Sequence, residues 1–442
     1  MRRAAIAMPL FLCIYSLLSL VAPLPAQNKM DGISLERARG ILRDAYLEVK
    51  KHYYDPSCHG IDLEARYKKY SADMETATSM GDAFTIVFQF LDGLNDSHTF
   101  FRPPSRAFRL EYGFRTQVFG DKVLVTQVRP GTEAVGKVFP GDEVIRYNGF
   151  TVARDTLWKM EYYLNQISPR PESQLILRDP VGNVRQLAVN TKVQPLKRVL
   201  DLTASRSGDD IMQMIRDQEN ASQMMKQRYF ELGDVMIWKM PEFFLNDGEV
   251  DHMFWIARKH KSLILDLRGN PGGLITTLER MVGNVFDHDI KISDRIGRKE
   301  MKPQLAKSVG NRAFAGELIV LTDSNSASAA ELFARVVQLE NRGKVIGDRS
   351  SGSVMEARGY VDSQGADTKF FYIFSVTDAD LRMKDGKSLE HNGVIPDEIV
   401  LPTPMDLKEG RDPVLARAVE LAGLKLDPAA AGKLFPFEWM PL

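Results

Sequence analysis

Two serines lie where a predicted strand gives way to a predicted helix. Four apolar residues at 318–321 indicate a short buried strand, and the apolar-rich stretch 332–337 indicates a helix. Ser326 and Ser328 lie between them and are followed by Glu331. The N–H groups at a helix N-terminus are unpaired and favour developing negative charge, so a serine there is well placed to act as a nucleophile. An ordinary helix cap, with Glu331 completing a capping box, would explain the same residues.

A histidine in an early turn is the candidate base. His98 lies in the polar stretch 95–99, directly after a helix predicted over residues 82–91. An imidazole titrates near neutral pH, so it can take a proton from a hydroxyl and later return it. Histidine is also common as a plain surface group. The turn by itself is compatible with both interpretations.

Two adjacent glycines are the candidate site for stabilising an oxyanion. A buried strand is predicted over 262–267, and a glycine-rich turn containing Gly272 and Gly273 leads from it into a helix predicted over 274–286. Glycines let a ligand approach the backbone closely, and their N–H groups can face an oxyanion. Sites in α/β sheets form at the carboxyl edge of the strands, where we expect this turn and the serine turn to meet.

Composition and charge exclude several classes of partner. Hydrophobic residues make up 44% of the 442 residues and charged residues 26%, which is typical of a globular chain with two or three domains. The formal net charge is +0, so nothing suggests a nucleic-acid or anionic-membrane partner. The sequence contains neither His-Glu-x-x-His nor Cys-x-x-Cys, so no metal is implied, and the chemistry outlined above needs no cofactor.

The N-terminus has the pattern of a secretory signal. Two arginines precede an apolar run over 4–21, and a proline-rich exit ends at Ala26, after which we predict cleavage. An uncleaved membrane anchor is the alternative, because the run is near the lower length limit for spanning a bilayer. Cys13 lies inside the run, so Cys58 alone remains after cleavage and no intramolecular disulfide can form. We therefore predict a periplasmic or extracellular protein, membrane-anchored if the signal is retained.

The rest of the chain divides into four predicted parts. Helical periodicity dominates the first, short β-like runs separated by Pro-Gly turns dominate the second, and the third is a mixed-charge connection. In the fourth, strands alternate with helices, which predicts a largely parallel sheet. After the signal at 1–26, these parts are a helical subdomain at 27–107, a β-domain at 108–192, a linker at 193–228 and an α/β core at 229–442.

The predicted β-domain resembles a PDZ domain. The resemblance rests on Tyr112-Gly113-Phe114, Arg129-Pro130-Gly131, Pro140-Gly141-Asp142 and Asn148-Gly149, in that order. In PDZ domains the loop that matches Tyr112, Gly113 and Phe114 offers backbone N–H groups to the C-terminal carboxylate of a peptide. The peptide itself adds as a strand at the edge of the sheet. A β-domain with structural duties alone is the alternative.

Taken together, five motifs resemble those of the carboxyl-terminal processing (tail-specific) protease family, which includes the tricorn protease core. They are Asp96-Ser97-His98-Thr99, the PDZ segment, the 265–273 turn, the 326–331 turn and Asn392-Gly393-Val394-Ile395-Pro396-Asp397. Their order and spacing match from about residue 35 to the end. The resemblance implies a multi-domain α/β protein with an N-terminal helical subdomain, a PDZ β-sandwich-like domain and a ClpP/crotonase-like α/β protease core.

The resemblance also implies roles for individual residues. Ser328 matches the nucleophile, and the oxyanion donors would be N–H groups of Gly272 or Gly273 and of Ala329. One departure matters. Members of the Ser–Lys type carry a lysine at the position of Ser353, so a Ser–Lys dyad is not expected here.

The tricorn-like branch supplies a different base. By resemblance to that branch, His98 is the base, Ser97 is its helper and Glu390 is the acidic partner. A neutral serine needs such a base to remove its proton, and an acid or hydroxyl fixes the tautomer of the histidine. His391 is a rival base, and Glu390 could instead form a salt bridge or brace a loop.

These roles predict a secreted or periplasmic serine endopeptidase that acts through an acyl-enzyme. Its expected partners are peptides or proteins with accessible C-termini, which the PDZ segment would bind, or whose access to the cleft it would gate. A catalytically inactive ligand- or peptide-binding protein of the same fold is the main alternative, because the lysine is missing. A scaffold that recognises partners through the PDZ segment alone is another. The sequence leaves the oligomeric state open.

Overall fold

A computed structural model of the chain describes residues 30–106, 108–195, 227–365 and 369–439. The predicted signal at 1–26 and most of the predicted linker at 193–228 lie outside these residues. Within the described ranges, no helix has the length and apolar character needed to cross a membrane. Cys58 is buried and unpaired.

The N-terminal part consists of three helices and a short strand. These are α1 (Gly32–His52), α2 (Leu63–Met74), α3 (Met80–Asp92) and β1 (Phe100–Arg102). Each helix begins at a side-chain cap: Asp31, Asp62 and Ser79 each accept a backbone N–H from the first turn. The helix predicted over 82–91 is thus confirmed, within two residues at each end.

The middle part is an antiparallel β-domain. Its elements are β2 (Phe108–Glu111), β3 (Phe114–Phe119), β4 (Lys122–Val128), β5 (Glu143–Tyr147), β6 (Phe150–Thr151), α4 (Leu157–Tyr162), β7 (Glu172–Arg178), β8 (Val184–Asn190) and β9 (Lys192–Pro195). The main sheet has the order β3-β4-β5-β7-β8, so β3 lies at one edge. Side chains from β3, β4, β5, β7 and α4 fill a single apolar cluster.

The C-terminal part begins at β10. Its elements are β10 (Arg228–Leu232), β11 (Val235–Lys239), α5 (Asp247–Ala257), β12 (Ser262–Asp266), α6 (Ile275–Gly283), β13 (Ile290–Gly297), β14 (Gln304–Ala306), β15 (Glu317–Thr322), α7 (Ala329–Leu339), β16 (Lys344–Gly347), β17 (Met355–Gln364), β18 (Phe370–Arg382), β19 (Glu398–Ile399), α8 (Pro404–Glu409), α9 (Pro413–Leu421) and α10 (Pro428–Ala431).

A mostly parallel sheet forms the centre of this part, as predicted. Its strand order is β10-β11-β12-β15-β16-β19, and only β10, at one edge, runs antiparallel to its neighbour. Alternate residues of the strands face opposite layers, as the two-residue period of a strand requires. Helices α5, α6 and α7 cover one face, and α9 covers the other. The helices therefore bury both faces of the sheet.

A second sheet joins the N-terminal helices to this core. It has the order β1-β18-β13-β14, and β17 pairs with β18 as a long hairpin. Tyr372, Phe374 and Val376 of β18 belong to the same apolar cluster as the buried faces of α1 and α3. The helical part thus shares its core with the hairpin.

Candidate active site

The backbone of Ser328 is strained. This residue immediately precedes α7 and has φ 53° and ψ −117°, a conformation that L-residues with a side chain rarely adopt. Ser326 is different: it is completely buried, and its Oγ donates to the carbonyl of Leu267 at 2.9 Å and accepts the N–H of Asp323 at 2.9 Å. Ser326 therefore holds the turn in shape, and Ser328 is the better candidate nucleophile.

A buried carboxylate lies beneath this turn. Glu331 Oε2 accepts the N–H groups of Ser328 and Ser353, both at 3.0 Å. Its Oε1 accepts the Ser350 hydroxyl at 2.6 Å and the Gly352 N–H at 2.7 Å. Burial raises the pKa of Glu331 to about 7, although each of these hydrogen bonds favours the charged form. The expected contact between Glu331 and the Ser328 N–H is present, and the same carboxylate also binds the 350–353 segment.

The glycine turn lies directly against Ser328. Gly272 has φ 93°, and a Cβ added there would lie 2.7 Å from Ser328 Cβ, so a larger residue does not fit. The Gly272 N–H already donates to Asn270 Oδ1 at 2.8 Å. The N–H groups of Gly273 and Ala329, by contrast, have no hydrogen-bond partner among the described residues. Of the three predicted donors, Gly273 and Ala329 are therefore available, while Gly272 provides the space.

The histidine belongs to a chain of three polar side chains. Ser97 Oγ donates to Glu390 Oε2 at 2.9 Å and lies 2.7 Å from His98 Nδ1. Because the single hydroxyl hydrogen is donated to the carboxylate, Ser97 Oγ must accept a hydrogen bond from Nδ1–H of His98. The Nε2 atom is then unprotonated in the neutral ring and can act as a base. Glu390 also accepts the Ser97 N–H at 2.7 Å, so it acts on His98 through Ser97 rather than directly.

The turn that carries His98 is fixed by a residue to which the sequence analysis gave no role. Asp96 Oδ1 accepts the N–H of His98 at 2.9 Å, the N–H of Thr99 at 2.7 Å and the hydroxyl of Thr377 at 2.8 Å. Since Thr377 lies on β18, this carboxylate ties the turn to the long hairpin. An aspartate that accepts N–H groups two and three residues ahead is a recognisable turn signal. Its long-range partner leaves no such signal.

A short segment connects the two halves of the site. Ser353 accepts the Ser328 N–H through its carbonyl at 3.0 Å, and the next residue, Val354, donates its N–H to Glu390 Oε2 at 2.8 Å. The serine turn and the His98 chain therefore lie on either side of residues 350–354. Within the described residues, no hydrogen bond joins Ser328 Oγ to the His98 ring. Hydrogen bonds between catalytic groups such as Ser328 and His98 often tighten only when substrate binds.

Burial favours the neutral form of the His98 ring. It lowers the pKa of His98 below its ordinary value of 6.5, and the nearby Asp96 only partly offsets this effect. Burial also raises the pKa of Glu390, against the hydrogen bonds from Ser97 and Val354. The rival base, His391, is exposed, and its Nε2 donates to the carbonyl of Asn95 at 2.8 Å. That nitrogen of His391 is therefore not available to accept a proton.

The loop predicted to receive a peptide carboxylate makes internal contacts. Tyr112 donates its hydroxyl to the carbonyl of Leu164 at 3.0 Å, and Phe114 begins β3. The Gly113 N–H donates to Glu111 Oε1 at 3.0 Å. A ligand carboxylate would therefore compete with the side chain of Glu111 for this donor.

The β-domain also contacts the turn that carries the nucleophile. Gln117 Nε2 donates to Asp323 Oδ2 at 2.6 Å, and the Ser324 hydroxyl donates to the Val118 carbonyl at 2.7 Å. A buried ion pair between Arg154 and Asp348, 2.6 Å apart, adds a second anchor near the 350–354 segment. The edge strand β3 is thus hydrogen-bonded to the turn that leads into Ser328.

Comparisons with known proteins agree with this geometry. The family model described as peptidase family S41 matches residues 232–400, and the model of the tricorn protease C1 domain matches residues 36–92. A tail-specific protease of Haemophilus influenzae is 22% identical over 432 residues, covering 89% of this chain and 58% of the relative. Residues 232–400 of the chain thus belong to peptidase family S41. At the position of Ser353, this part lacks the lysine of the Ser–Lys type.

Other known proteins are similar to only part of this sequence, or share only its fold. A tricorn protease homologue of Streptomyces coelicolor is 30% identical over 170 residues, which is 36% of this chain and 13% of the relative. The chain thus spans less than two thirds of the length of either curated relative. The crystal structure of mature CPAF has a TM-score of 0.63 at 14% identity, over 85% of this chain and 94% of that one. This likeness shows a shared fold.

At the position of the absent lysine, Ser353 offers no base. Its Oγ is 2.8 Å from Ser351 Oγ, a contact between two neutral hydroxyls. Lys344, one of the two lysines nearest in sequence, forms an ion pair with Glu398 at 2.7 Å. The hydrogen-bonded series Glu390–Ser97–His98 is therefore the candidate source of a base.

Replacing Gly272 by alanine is expected to lower kcat strongly. The added Cβ would lie 2.7 Å from Ser328 Cβ and 2.9 Å from the Ala329 nitrogen, so the serine turn must move. A displacement of this kind typically costs about 100-fold in kcat. Gly269→Ala is the matched control, because Gly269 also has positive φ but has open space around it. Equal kcat values for the two variants, measured on an unstructured peptide, would contradict the assignment.

Removing the Ser97 hydroxyl is expected to lower kcat with little change in KM. Without it, the Nδ1 proton of His98 loses its acceptor and the productive tautomer is no longer favoured, which we expect to cost about 100-fold. Ser97→Thr keeps a hydroxyl and should restore most of the rate. If Ser97→Ala retained the wild-type kcat, or if threonine failed to rescue it, Ser97 would not be a positioning residue.

Proposed function

We propose that this protein is a serine endopeptidase that hydrolyses peptide bonds through an acyl-enzyme on Ser328. The observation that carries the proposal is the strained backbone of Ser328 beside the N–H groups of Gly273 and Ala329, which have no hydrogen-bond partner among the described residues. Strain of this kind concentrates at functional sites. Free N–H donors next to a serine suit a tetrahedral oxyanion, whose charge they would stabilise as it forms.

The proposed reaction has two stages. In the first, His98 Nε2 removes the proton of Ser328 Oγ as that oxygen attacks the amide carbon, and the imidazolium then protonates the departing amine. In the second, a water molecule loses its proton to His98 and attacks the acyl-enzyme, which releases the carboxylic acid and returns the proton to Ser328. Ser97 and Glu390 hold His98 in the required tautomer throughout. The proposed chemistry involves no cofactor.

The β-domain is proposed to select substrates as a PDZ domain does. Its edge strand β3 can accept an extended peptide end by strand addition, which suits proteins with accessible C-termini. Gln117 donates to Asp323, and Val118 accepts from Ser324. These hydrogen bonds support a gating role, because they connect the proposed peptide-binding strand to the turn that carries Ser328. The signal-like N-terminus supports a periplasmic or extracellular location, or a membrane-anchored one if it is not cleaved.

A binding protein without turnover is the second candidate. Two observations favour it: Ser353 replaces the lysine, and no hydrogen bond joins Ser328 Oγ to His98 in the described residues. The two candidates differ in whether Ser328 is nucleophilic. They therefore make opposite predictions for a reagent that reacts only with an activated serine.

An activated Ser328 is expected to react with a fluorophosphonate probe. Wild-type protein should be labelled and Ser328→Ala should not be. Ser326→Ala should still be labelled if it folds, because the buried Ser326 hydroxyl binds the backbone of Leu267 and Asp323 and does not face the probe as a nucleophile. His98→Ala should slow labelling while thermal unfolding stays near that of the wild type. A wild-type protein that resists the probe would contradict the peptidase proposal and favour the binding protein.

The pH dependence of kcat/KM is expected to show a lower limb below pH 6.5. His98 must be neutral to accept the proton, so the rate falls as the pH drops through its pKa, which burial lowers. A second group could produce a limb in this range, because burial raises the pKa of Glu331 to about 7. Measuring the same pH profile for Glu331→Gln separates the contributions of His98 and Glu331. A lower limb that persists in this variant belongs to His98. A limb that disappears in it would contradict His98 as the controlling group.

A further inference from the structure

A distant part of the chain covers one surface of the β-domain. Residues 435–439, called here the aromatic segment, follow α10 and reach the strands β3 and β4. The guanidinium carbon of Arg115 lies 5.2 Å from the centroid of the Phe437 ring. The guanidinium carbon of Arg129 lies at the same distance from the centroid of the Trp439 ring. The two rings also pack edge to face, 5.1 Å apart. These distances are typical of attractive cation–aromatic contacts.

The covered surface adjoins the loop that is proposed to bind peptide ends. Arg115 is on β3, the edge strand, directly after Phe114. Arg129 donates its N–H to the Gly113 carbonyl at 2.8 Å, and its buried guanidinium pairs with Glu111 at 2.7 Å. Glu111 in turn holds the Gly113 N–H. Trp439 thus lies on the side chain that braces both sides of this loop.

The other end of the aromatic segment is held by the core. Arg228, the first residue of β10, donates to the Pro436 carbonyl at 3.2 Å and lies 4.0 Å from the carboxylate of Glu438. Its guanidinium also faces the Phe435 ring, 5.9 Å from the centroid. Phe435 packs against the apolar cluster under α9. The segment is therefore anchored at Phe435, and its outer end rests on the β-domain.

We propose that the aromatic segment is a built-in competitor of the substrate peptide at this surface. Phe437 and Trp439 cover Arg115 and Arg129 in the resting protein. A substrate end that carries a carboxylate and an aromatic or apolar side chain displaces them, because a guanidinium binds carboxylates and aromatic faces alike. The segment suits displacement, because Phe437 remains 39% exposed while it covers Arg115. This inference rests on the proposed peptide-binding function of the β-domain.

Removing the two rings is expected to strengthen peptide binding about tenfold, since two weak cation–aromatic contacts no longer compete with the ligand. The ligand is a fluorescent peptide with a free C-terminal carboxylate and an aromatic residue near its end, titrated by anisotropy in the Ser328→Ala background so that it is not cleaved. Phe437→Ala/Trp439→Ala is the test variant. Trp255→Ala is the matched control, because Trp255 is another exposed indole under a cation, that of Lys259, 3.4 Å from the ring centroid.

A second measurement follows the ring itself. The chain has 4 tryptophans, so labelling with 5-fluorotryptophan gives few fluorine resonances, and Trp439→Phe identifies that of Trp439. This resonance should move towards the solvent-exposed position as the peptide is added. Should the alanine pair fail to fold, as judged by thermal unfolding, Phe437→Leu/Trp439→Leu keeps apolar bulk but removes both rings and should still tighten binding.

The outcomes separate this proposal from the peptidase assignment. Tighter binding in the ring-deleted variant, with Trp255→Ala unchanged, supports the competitor. Equal affinities, or no peptide binding by either protein, would overturn it, because uncovering the surface would then expose no peptide site. Fluorophosphonate labelling of wild-type protein tests the peptidase separately: it can succeed while the competitor fails, and it can fail while the peptide still displaces Trp439.

Discussion

The candidate site depends on two buried carboxylates that hold opposite sides of one short segment. Glu331 binds the N–H groups of Gly352 and Ser353, and Glu390 binds that of Val354. The first carboxylate also holds the backbone of Ser328, and the second holds Ser97. An unpaired buried charge is costly, so each carboxylate keeps its donors in place. Residues 350–354 are thereby fixed between Ser328, the proposed nucleophile, and the turn that carries His98, the proposed base.

This arrangement explains how the site can lack a lysine. In the Ser–Lys type the base would come from this same segment, at Ser353. Here the segment has a structural role, and the proposed base, His98, lies outside it, on the turn between α3 and β1. That turn is held in place because β1 pairs with β18 and because Asp96 binds Thr377. The long hairpin thus connects the N-terminal helices to the catalytic core, and the position of His98 depends on it.

Much of the fold could be predicted because its signals are local. Apolar runs marked β12 and β15, a glycine-rich turn marked the strand-to-helix switch at Gly272, and a serine-rich turn marked the one at Ser328. Strand β17 left no such signal, since most of its residues are polar or partly exposed and its pairing with β18 is its main support. The prediction of a largely parallel sheet was correct for the same reason: strand and helix alternate along the chain.

The site could be predicted only in outline. Motif order singled out Ser328, His98, Ser97 and Glu390, but the relay through Ser97 became visible only with the distances. Long-range pairs have no local pattern. The Asp96–Thr377 bond joins residues 281 positions apart, and the Arg154–Asp348 pair joins residues 194 apart. Nor could the sequence indicate that Glu111 occupies the Gly113 N–H, since any nearby acid could have served.

The central claim is that His98 Nε2 removes the proton of Ser328 Oγ, which requires the two side chains to meet. A crystal structure of the phosphonylated protein tests this claim most directly. The account predicts phosphorus bonded to Ser328 Oγ, one phosphonyl oxygen facing the N–H groups of Gly273 and Ala329, and His98 Nε2 within about 3.2 Å of the Ser328 or a phosphonyl oxygen. A phosphonate on Ser328 with the His98 ring in a separate cleft would contradict the account.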